Sequence, residues 1–157
     1  MSEPLTLAST TARHALPMIF PGQVQKEYAI NEAHALIDAL MHPAVGGTIG
    51  EPPEEGQDGD CWIVAPDAAG AWAGKAAMLA TRQASAWLFA RPCDGMRVFD
   101  RSSGRELLYR ENSWQEPATV NRPEGGATVD SEARAAVAAL IAALQARGLL
   151  GSPDQAA

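Results

Sequence analysis

The sequence predicts an α+β fold: an N-terminal helix, a small antiparallel β meander or barrel of about five to seven short strands, and a C-terminal amphipathic helix. Apolar residues recur every three or four positions before His42 and again after Asp130, which indicates two helices. Between them, short apolar runs are separated by turn residues about every ten positions, which is typical of strands. With 157 residues, 46% of them hydrophobic and 20% charged, the chain fits one globular domain.

Shifts in composition divide the chain into segments. They are an N-terminal tail (1–15), an N-terminal segment with its helix (16–45), a tryptophan-bearing β module (46–117), a linker (118–128), a C-terminal helix (129–150) and a tail (151–157).

The first helix is predicted from Asn31, whose side chain suits an N-cap, with Glu32 in the first turn, where an acid complements the helix dipole. Residues 23–30 fit either a helical turn or an extended stretch. The apolar positions of the helix recur at spacings of three and four: Ala33, Leu36, Ile37, Leu40 and Met41. His42-Pro43 ends the helix.

The β module contains five short apolar runs that we predict to be strands. They are Cys61–Val64, Met78–Ala80, Trp87–Phe89, Met96–Phe99 and Leu107–Tyr109. Residues that favour turns separate them, such as Asp94-Gly95 and Ser102-Ser103-Gly104. This spacing favours an antiparallel meander or a small barrel.

The C-terminal helix has both end signals, with Asp130 as N-cap, Glu132 in its first turn and Gly148 as its stop. Its apolar stripe, which we predict to be an oligomer interface, consists of Ala133, Val137, Leu140, Ile141 and Leu144. The stripe spans only two heptads, so packing on the chain's own domain remains an alternative. Gly126 would allow the helix to move away from the sheet.

Three tryptophans, Trp72, Trp87 and Trp114, each follow a turn, whereas Trp62 lies within an apolar run and is assigned to the core. An indole ring offers a flat apolar face with a polar edge, as sugar rings require. The three could therefore form a glycan-binding platform at one edge of the sheet. The alternative is that they fill the core of a small β module.

Charge and cysteine content exclude several classes. A net charge of -7 opposes nucleic-acid binding, because phosphate backbones attract basic surfaces. Cys61 and Cys93 do not form a C-x-x-C pair and are predicted to be buried thiols. The first residues lack the pattern of a signal peptide, and no apolar run approaches the roughly 18 residues of a membrane span. We therefore expect a chain made in the cytoplasm without membrane insertion.

Motifs that carry catalysis, metals or cofactors are absent from the sequence. His14, His34 and His42 form no metal-binding spacing, and no nucleophile elbow or phosphate loop is present. We predict no enzyme activity, no metal and no cofactor. The least favoured alternative is a glycan-degrading enzyme, for which the candidate carboxylates are Asp94, Asp100 and Glu106.

A series of motifs in order resembles the family known as domain of unknown function 2793. The motifs are Pro21–Ala33, Leu36–Leu40, Glu55-Gly56, Gly59–Val64, Gly70–Gly74, Trp87–Phe89, Pro92, Gly95 and Trp114. They extend over roughly residues 16–115. The polar members of the first motif are predicted to be structural: Gln23, Lys26, Glu27, Asn31 and Glu32.

The resemblance implies a place in a virion, because members occur in tailed phages, prophages and gene transfer agents, and some are tail-fibre proteins. It implies no catalytic mechanism. We expect a structural component of a phage or phage-like particle, a short tail fibre, spike or fibre adaptor that attaches to the host surface. The terminal helix resembles the closing segment of many phage-associated proteins, and we expect it to form a homotrimer and to contact other tail proteins. Larger fibre members continue into long C-terminal parts, so a chain that stops after this helix favours an adaptor or short fibre. The alternative function is a carbohydrate-binding module that uses Trp72, Trp87 and Trp114.

Overall fold

The structure is a computed structural model that describes residues 16, 17, 19, 22, 24–126 and 130–151. It has the predicted α+β class, with two helices and eight short strands among the described residues. Helix α1 comprises Lys26–Met41 and helix α2 comprises Ser131–Ala146. The strands are β1 (Ala44–Val45), β2 (Thr48–Ile49), β3 (Cys61–Val64), β4 (Leu79–Gln83), β5 (Ala86–Ala90), β6 (Arg97–Asp100), β7 (Arg105–Arg110) and β8 (Ser113–Gln115).

Helix α1 begins earlier than predicted. Gln25 precedes it in a left-handed conformation (φ 58°) and offers no side-chain cap, so Asn31 lies inside the helix and its prediction as N-cap was wrong. The helix starts upstream of the best local capping residue, so the capping preference of Asn31 does not decide where it begins. Its end at Met41, followed by His42 and Pro43, is as predicted. Leu36 is buried in the main core, and the helix lies against β4 and β5.

The strands form two mixed sheets, with the orders β1-β6-β7-β8 and β2-β3-β4-β5. The predicted antiparallel pairing holds for the hairpins, but β1 pairs with β6 and β2 pairs with β3 in parallel. Neither sheet closes into a barrel. The sequence did not predict β1, β2 or β8, because two or three residues are too few to show alternation.

Gly46 and Gly47 explain why one sheet becomes two. They separate β1 from β2, so that neighbouring residues of one short segment join different sheets. A Cβ atom on Gly46 would lie 2.5 Å from the Trp62 ring, and Gly47 has a φ of +137°. Position 46 requires glycine because the indole lies so close, and position 47 requires it because of its positive φ.

The main core is shared by both sheets and α1. Its buried residues are Leu36, Val45, Cys61, Ile63, Leu79, Ala90, Val98 and Leu107. A second, smaller core covers the other face of the β2-β3-β4-β5 sheet and contains Val64, Trp72 and Ala80, with Trp62, Trp87 and Phe89 partly buried around them. Strand β3 therefore packs on both faces, which explains its uninterrupted apolar sequence.

Tight turns connect the two strands of the β4–β5 hairpin and of the β7–β8 hairpin. Ala84-Ser85 and Glu111-Asn112 each place two consecutive residues at positive φ, as two-residue hairpins require. Within the described residues, no helix is long and apolar enough to cross a membrane.

Candidate functional site: the exposed stripe of helix α2

Helix α2 displays most of its apolar stripe. Val137 is 43% exposed and Leu140 is 61% exposed. Ala133 is also exposed, and Leu144 is half-buried. From here on, the apolar stripe means these four residues, without Ile141. Ile141 was predicted to share the interface, but it is 6% exposed and belongs to the interior of the chain.

The buried side of α2 points in a different direction from the apolar stripe. Besides Ile141, the residues on that side are half-buried: Arg134, Ala138 and Gln145. At 3.6 residues per turn, the two sets lie about a quarter of a turn apart. Among the described residues, the helix therefore contacts the rest of the chain through one narrow side, and the adjacent apolar side is open.

The start of α2 is fixed by its own capping group and by the linker. The Asp130 carboxylate accepts a hydrogen bond of 2.8 Å from the Ala133 amide, as predicted for an N-cap. The Arg134 guanidinium donates to the carbonyl oxygens of Pro123 (3.4 Å) and Gly125. These bonds hold the first turn of the helix against the exposed linker that precedes it.

The end of α2 is locked by a glycine turn. The Gly148 amide donates to the Gln145 carbonyl (2.9 Å), and the Leu149 amide donates to the Leu144 carbonyl (3.0 Å). This pair of bonds is a Schellman motif, for which Gly148 has the required positive φ of +70°. The predicted stop at Gly148 is confirmed.

The same turn joins the helix to the β1-β6-β7-β8 sheet. The Gly148 carbonyl accepts a 3.0 Å hydrogen bond from the Glu106 amide at the start of β7. A Cβ atom on Gly148 would lie 3.0 Å from both the Glu106 nitrogen and the Gly104 oxygen. Gly151 then donates to Ala118 (3.0 Å) and pairs in parallel with Thr119. We call the contacts of Gly148 and Gly151 the anchor.

A charged pair lies next to the anchor. Arg105, whose side chain is 10% exposed, contacts Glu116 at 2.7 Å. Glu116 lies just before Ala118 and Thr119, which pair with Gly151. The Arg105–Glu116 pair therefore connects β7 to this β-bridge.

The predicted platform of three tryptophans does not form. Trp72 is 0% exposed, and its ring meets those of Trp87 (5.1 Å) and Phe89 (6.4 Å) edge to face. Trp72 therefore fills the second core. Trp72 lies in a 3₁₀ turn, Gly70–Trp72, that folds back over the sheet. The residues next to Trp72 in the sequence do not predict this.

Trp87 and Trp114 occupy different environments. Trp87 is half-buried in the second core and lies 5.3 Å from the Arg82 guanidinium. Trp114 packs against the main core, near Tyr109 at 5.1 Å. The indoles of Trp87 and Trp114 therefore pack against different cores and do not form one surface. Trp62, which was assigned to the core, is half-buried beside Gly46.

The polar signature residues lie at the start of α1. Lys26 is half-buried, whereas Glu27, Asn31 and Glu32 are exposed along the helix. Gln23, predicted to belong to the same structural set, lies outside the described residues.

The carboxylates considered for glycoside hydrolysis have structural contacts. Asp100 accepts hydrogen bonds from Ser102 (2.7 Å) and Ser103 (2.8 Å), and Glu106 contacts Arg97 at 3.1 Å. Burial would raise the pKa of Asp100, but the hydrogen bonds from both serines outweigh it and lower the pKa below its ordinary value. A carboxylic acid held ionised is a poor proton donor at neutral pH. Asp94 is exposed in a turn.

The thiol of Cys61 is buried, and burial disfavours its ionised form. Burial raises its pKa to about 11, with smaller opposing contributions from the Trp62 backbone and Arg101. Its thiolate, which would be the nucleophile or metal ligand, is therefore scarce at neutral pH. Among the described residues, no three His, Cys, Asp or Glu side chains converge as a metal site.

Comparison with known proteins gives one result. The family described as "Protein of unknown function (DUF2793)" matches residues 30–115, more than half of the chain. No curated protein matches the chain.

Proposed function

The chain belongs to the family described as "Protein of unknown function (DUF2793)", and we propose that it is a structural component of a phage or phage-like particle, a short tail fibre, spike or fibre adaptor that assembles through α2. The observation that carries the proposal is the apolar stripe, which the described residues leave uncovered while both ends of the helix are fixed. A fixed helix with an open apolar side presents a preformed surface to other copies.

The apolar stripe gains free energy when another copy covers it. Fully burying a Val or Leu side chain contributes about 1.5–3 kcal/mol, and Val137 and Leu140 still have 43% and 61% of their surface to bury. Each association step costs on the order of 4–15 kcal/mol in lost translational and rotational freedom, so the rest of the contact between helices has to contribute as well. The stripe does not fix the number of copies, and we propose a homotrimer because the chain resembles fibre-like proteins.

The anchor supports the same proposal. Because the C-terminal end of α2 is attached to β7 and to residue 119, a force on the assembled helices passes directly to the sheet. A component that connects a particle to a host surface has to transmit such a force. The resemblance of residues 16–115 to proteins of tailed phages and gene transfer agents supports placement in a particle, with contacts to other tail proteins and to the host surface.

Detection in purified particles tests the proposed function. Particles from a producing culture would be separated on a density gradient and probed with an antibody against the chain. We expect the wild type in the particle fraction and the double variant Val137→Glu/Leu140→Glu outside it.

The matched control places two glutamates on another side of α2. Ala139 and Ala142 have the same spacing of three and are exposed, so Ala139→Glu/Ala142→Glu should remain in the particle fraction. A wild-type chain found only in the soluble fraction of cells that release particles would contradict the proposal.

A further inference from the structure

A cleft of about 210 Å³ lies beside Trp114, between the β2–β3 end of one sheet and the β7–β8 hairpin of the other. We propose that this cleft binds one uncharged, hydroxyl-bearing ring of a host-surface glycan. The inference rests on the proposed function for the source of the glycan, whereas the cleft itself is independent of α2. Its lining residues are Thr48, Ile63, Val64, Pro66, Ala77, Asn112, Ser113 and Trp114.

Trp114 is held rigidly beside the cleft. Its indole nitrogen donates a 2.9 Å hydrogen bond to the Ala77 carbonyl, and the Tyr109 ring packs against it at 5.1 Å. Ala77 adopts a left-handed conformation (φ 62°), which costs a non-glycine residue about 1–3 kcal/mol. The chain thus maintains a strained backbone at the point where the carbonyl meets the indole. A fixed indole is the type of surface on which the apolar face of a sugar ring packs.

Hydrogen-bonding groups lie around this apolar surface. Asn112 occupies the hairpin turn at φ 61° with its side chain exposed, and its amide supplies an acceptor and two donors. The Ser113 hydroxyl donates to the Arg110 carbonyl (3.2 Å), so its oxygen can still accept. Thr48 adds an exposed hydroxyl from the opposite sheet. A ring with several hydroxyl groups matches this mixture of donors and acceptors.

The lining contains no ionisable side chain, which defines the ligand as uncharged. Other clefts differ in this respect. The cleft of about 430 Å³ on the outer face of the β1-β6-β7-β8 sheet contains Arg97, Glu106 and Arg147. An acidic sugar would find no cationic side chain among the residues that line the cleft beside Trp114, so its carboxylate would lose hydration without a compensating partner.

The volume limits the ligand to about one ring. Sites for drug-sized ligands occupy about 300–1,000 Å³, and this cleft is smaller. A single terminal residue of a glycan chain fits that size better than an extended oligosaccharide. One ring gives weak binding, and the several copies expected in an assembled particle would compensate through avidity.

The test is a titration of the full chain, labelled with nitrogen-15, with methyl glucoside, methyl galactoside and N-acetylglucosamine, each raised to high millimolar concentration. We expect at least one of them to shift the indole NH signal of Trp114 and the side-chain amide signal of Asn112. Glucuronate at equal concentration should shift neither signal.

Two variants of the same turn provide a matched pair. Asn112→Gly removes the side-chain amide and keeps a residue that favours positive φ, so the fold should persist, which circular dichroism verifies. Glu111→Gly makes the same change at the adjacent position (φ 53°), whose side chain does not line the cleft. Affinity should fall about tenfold in Asn112→Gly, as expected for the loss of one or two hydrogen bonds, and remain unchanged in Glu111→Gly.

The inference is wrong if none of the three uncharged sugars shifts the Trp114 signal, if glucuronate shifts it equally, or if Asn112→Gly titrates like the wild type. Failure of the proposed function looks different. A chain that binds the glycoside but is absent from particles would contradict only the particle proposal, and a chain present in particles that binds no glycoside would contradict only the cleft.

Discussion

The two-sheet body and helix α2 use their apolar residues in opposite ways. The sheets bury Trp72 completely, since it is 0% exposed and packs against Trp87 and Phe89. Helix α2 leaves Leu140 61% exposed while its ends are held by hydrogen bonds. The second core is therefore closed by residues of the chain itself, whereas the apolar stripe of α2 is the surface that we propose another copy covers.

The largest effect expected is in the body. Trp72→Ala removes a fully buried indole and should lower the free energy of unfolding by about 3–5 kcal/mol. Leu140→Ala removes an exposed side chain and should change it by less than about 0.5 kcal/mol in dilute protein. Urea denaturation followed by circular dichroism measures both. Equal losses would remove the distinction between the two regions.

The anchor is the next most sensitive point. Gly148→Ala adds a Cβ atom 3.0 Å from two backbone atoms at a φ of +70°, and should cost about 2–3 kcal/mol and release the end of α2. Gly125→Ala has a similar φ of +74° with no atom within 4 Å of the added Cβ, so it should cost only about 1 kcal/mol. Hydrogen exchange should show faster exchange in α2 for Gly148→Ala, with the β-strand amides still protected. Loss of protection throughout the sheets would mean that α2 is part of the body.

The N-cap contributes less. Asp130→Ala removes the 2.8 Å hydrogen bond to the Ala133 amide and should cost about 1 kcal/mol. Asp130→Ser retains a capping oxygen and should recover most of that loss. Thermal melts at the helix-sensitive wavelength compare both variants with the wild type, and an Asp130→Ala melt identical to that of the wild type would show that the cap does not stabilise α2.

The smallest effect concerns pH and the turn between β6 and β7. The pKa of Asp100 lies below its ordinary value of 3.8, because the hydrogen bonds from Ser102 and Ser103 outweigh the effect of burial. The carboxylate therefore contributes stability above about pH 3.8, and this contribution is lost as the pH falls through the lower pKa of the folded protein. Asp100→Asn should flatten the acid side of a stability profile measured by urea denaturation. An unchanged profile would show that this group is not linked to folding.

The features that could be predicted from the sequence are those that depend on neighbouring residues. Asp130 and Gly148 were recognised as the ends of α2 because capping and glycine stops are local chemistry. Asn31 was wrongly predicted as the N-cap of α1 for the same reason. It is a favourable capping residue, but the helix begins before it and continues through it. The rest depends on contacts between distant segments. The burial of Trp72 requires residues 65–76 to fold back over β3–β5, and the switch between sheets requires Gly46 to meet Trp62.

The candidate sites follow the same division. The apolar stripe was visible as a heptad pattern, except that Ile141 turned inward, because the buried side of the helix is set by its contacts with the chain. Trp114 was named as a candidate from the sequence. Thr48, Ala77 and Asn112, which line the cleft beside it, were not, because these residues are brought together only when the two sheets pack.

Light scattering coupled to size exclusion tests most directly whether the apolar stripe assembles copies of the chain. We predict that the wild type elutes with a mass near three times the 16.5 kDa of one chain. Val137→Glu/Leu140→Glu should elute at the mass of a single chain with the same circular dichroism spectrum, because a glutamate cannot be buried without a partner. Ala139→Glu/Ala142→Glu should keep the wild-type mass. A wild-type protein that remains a single chain at high concentration would contradict the account.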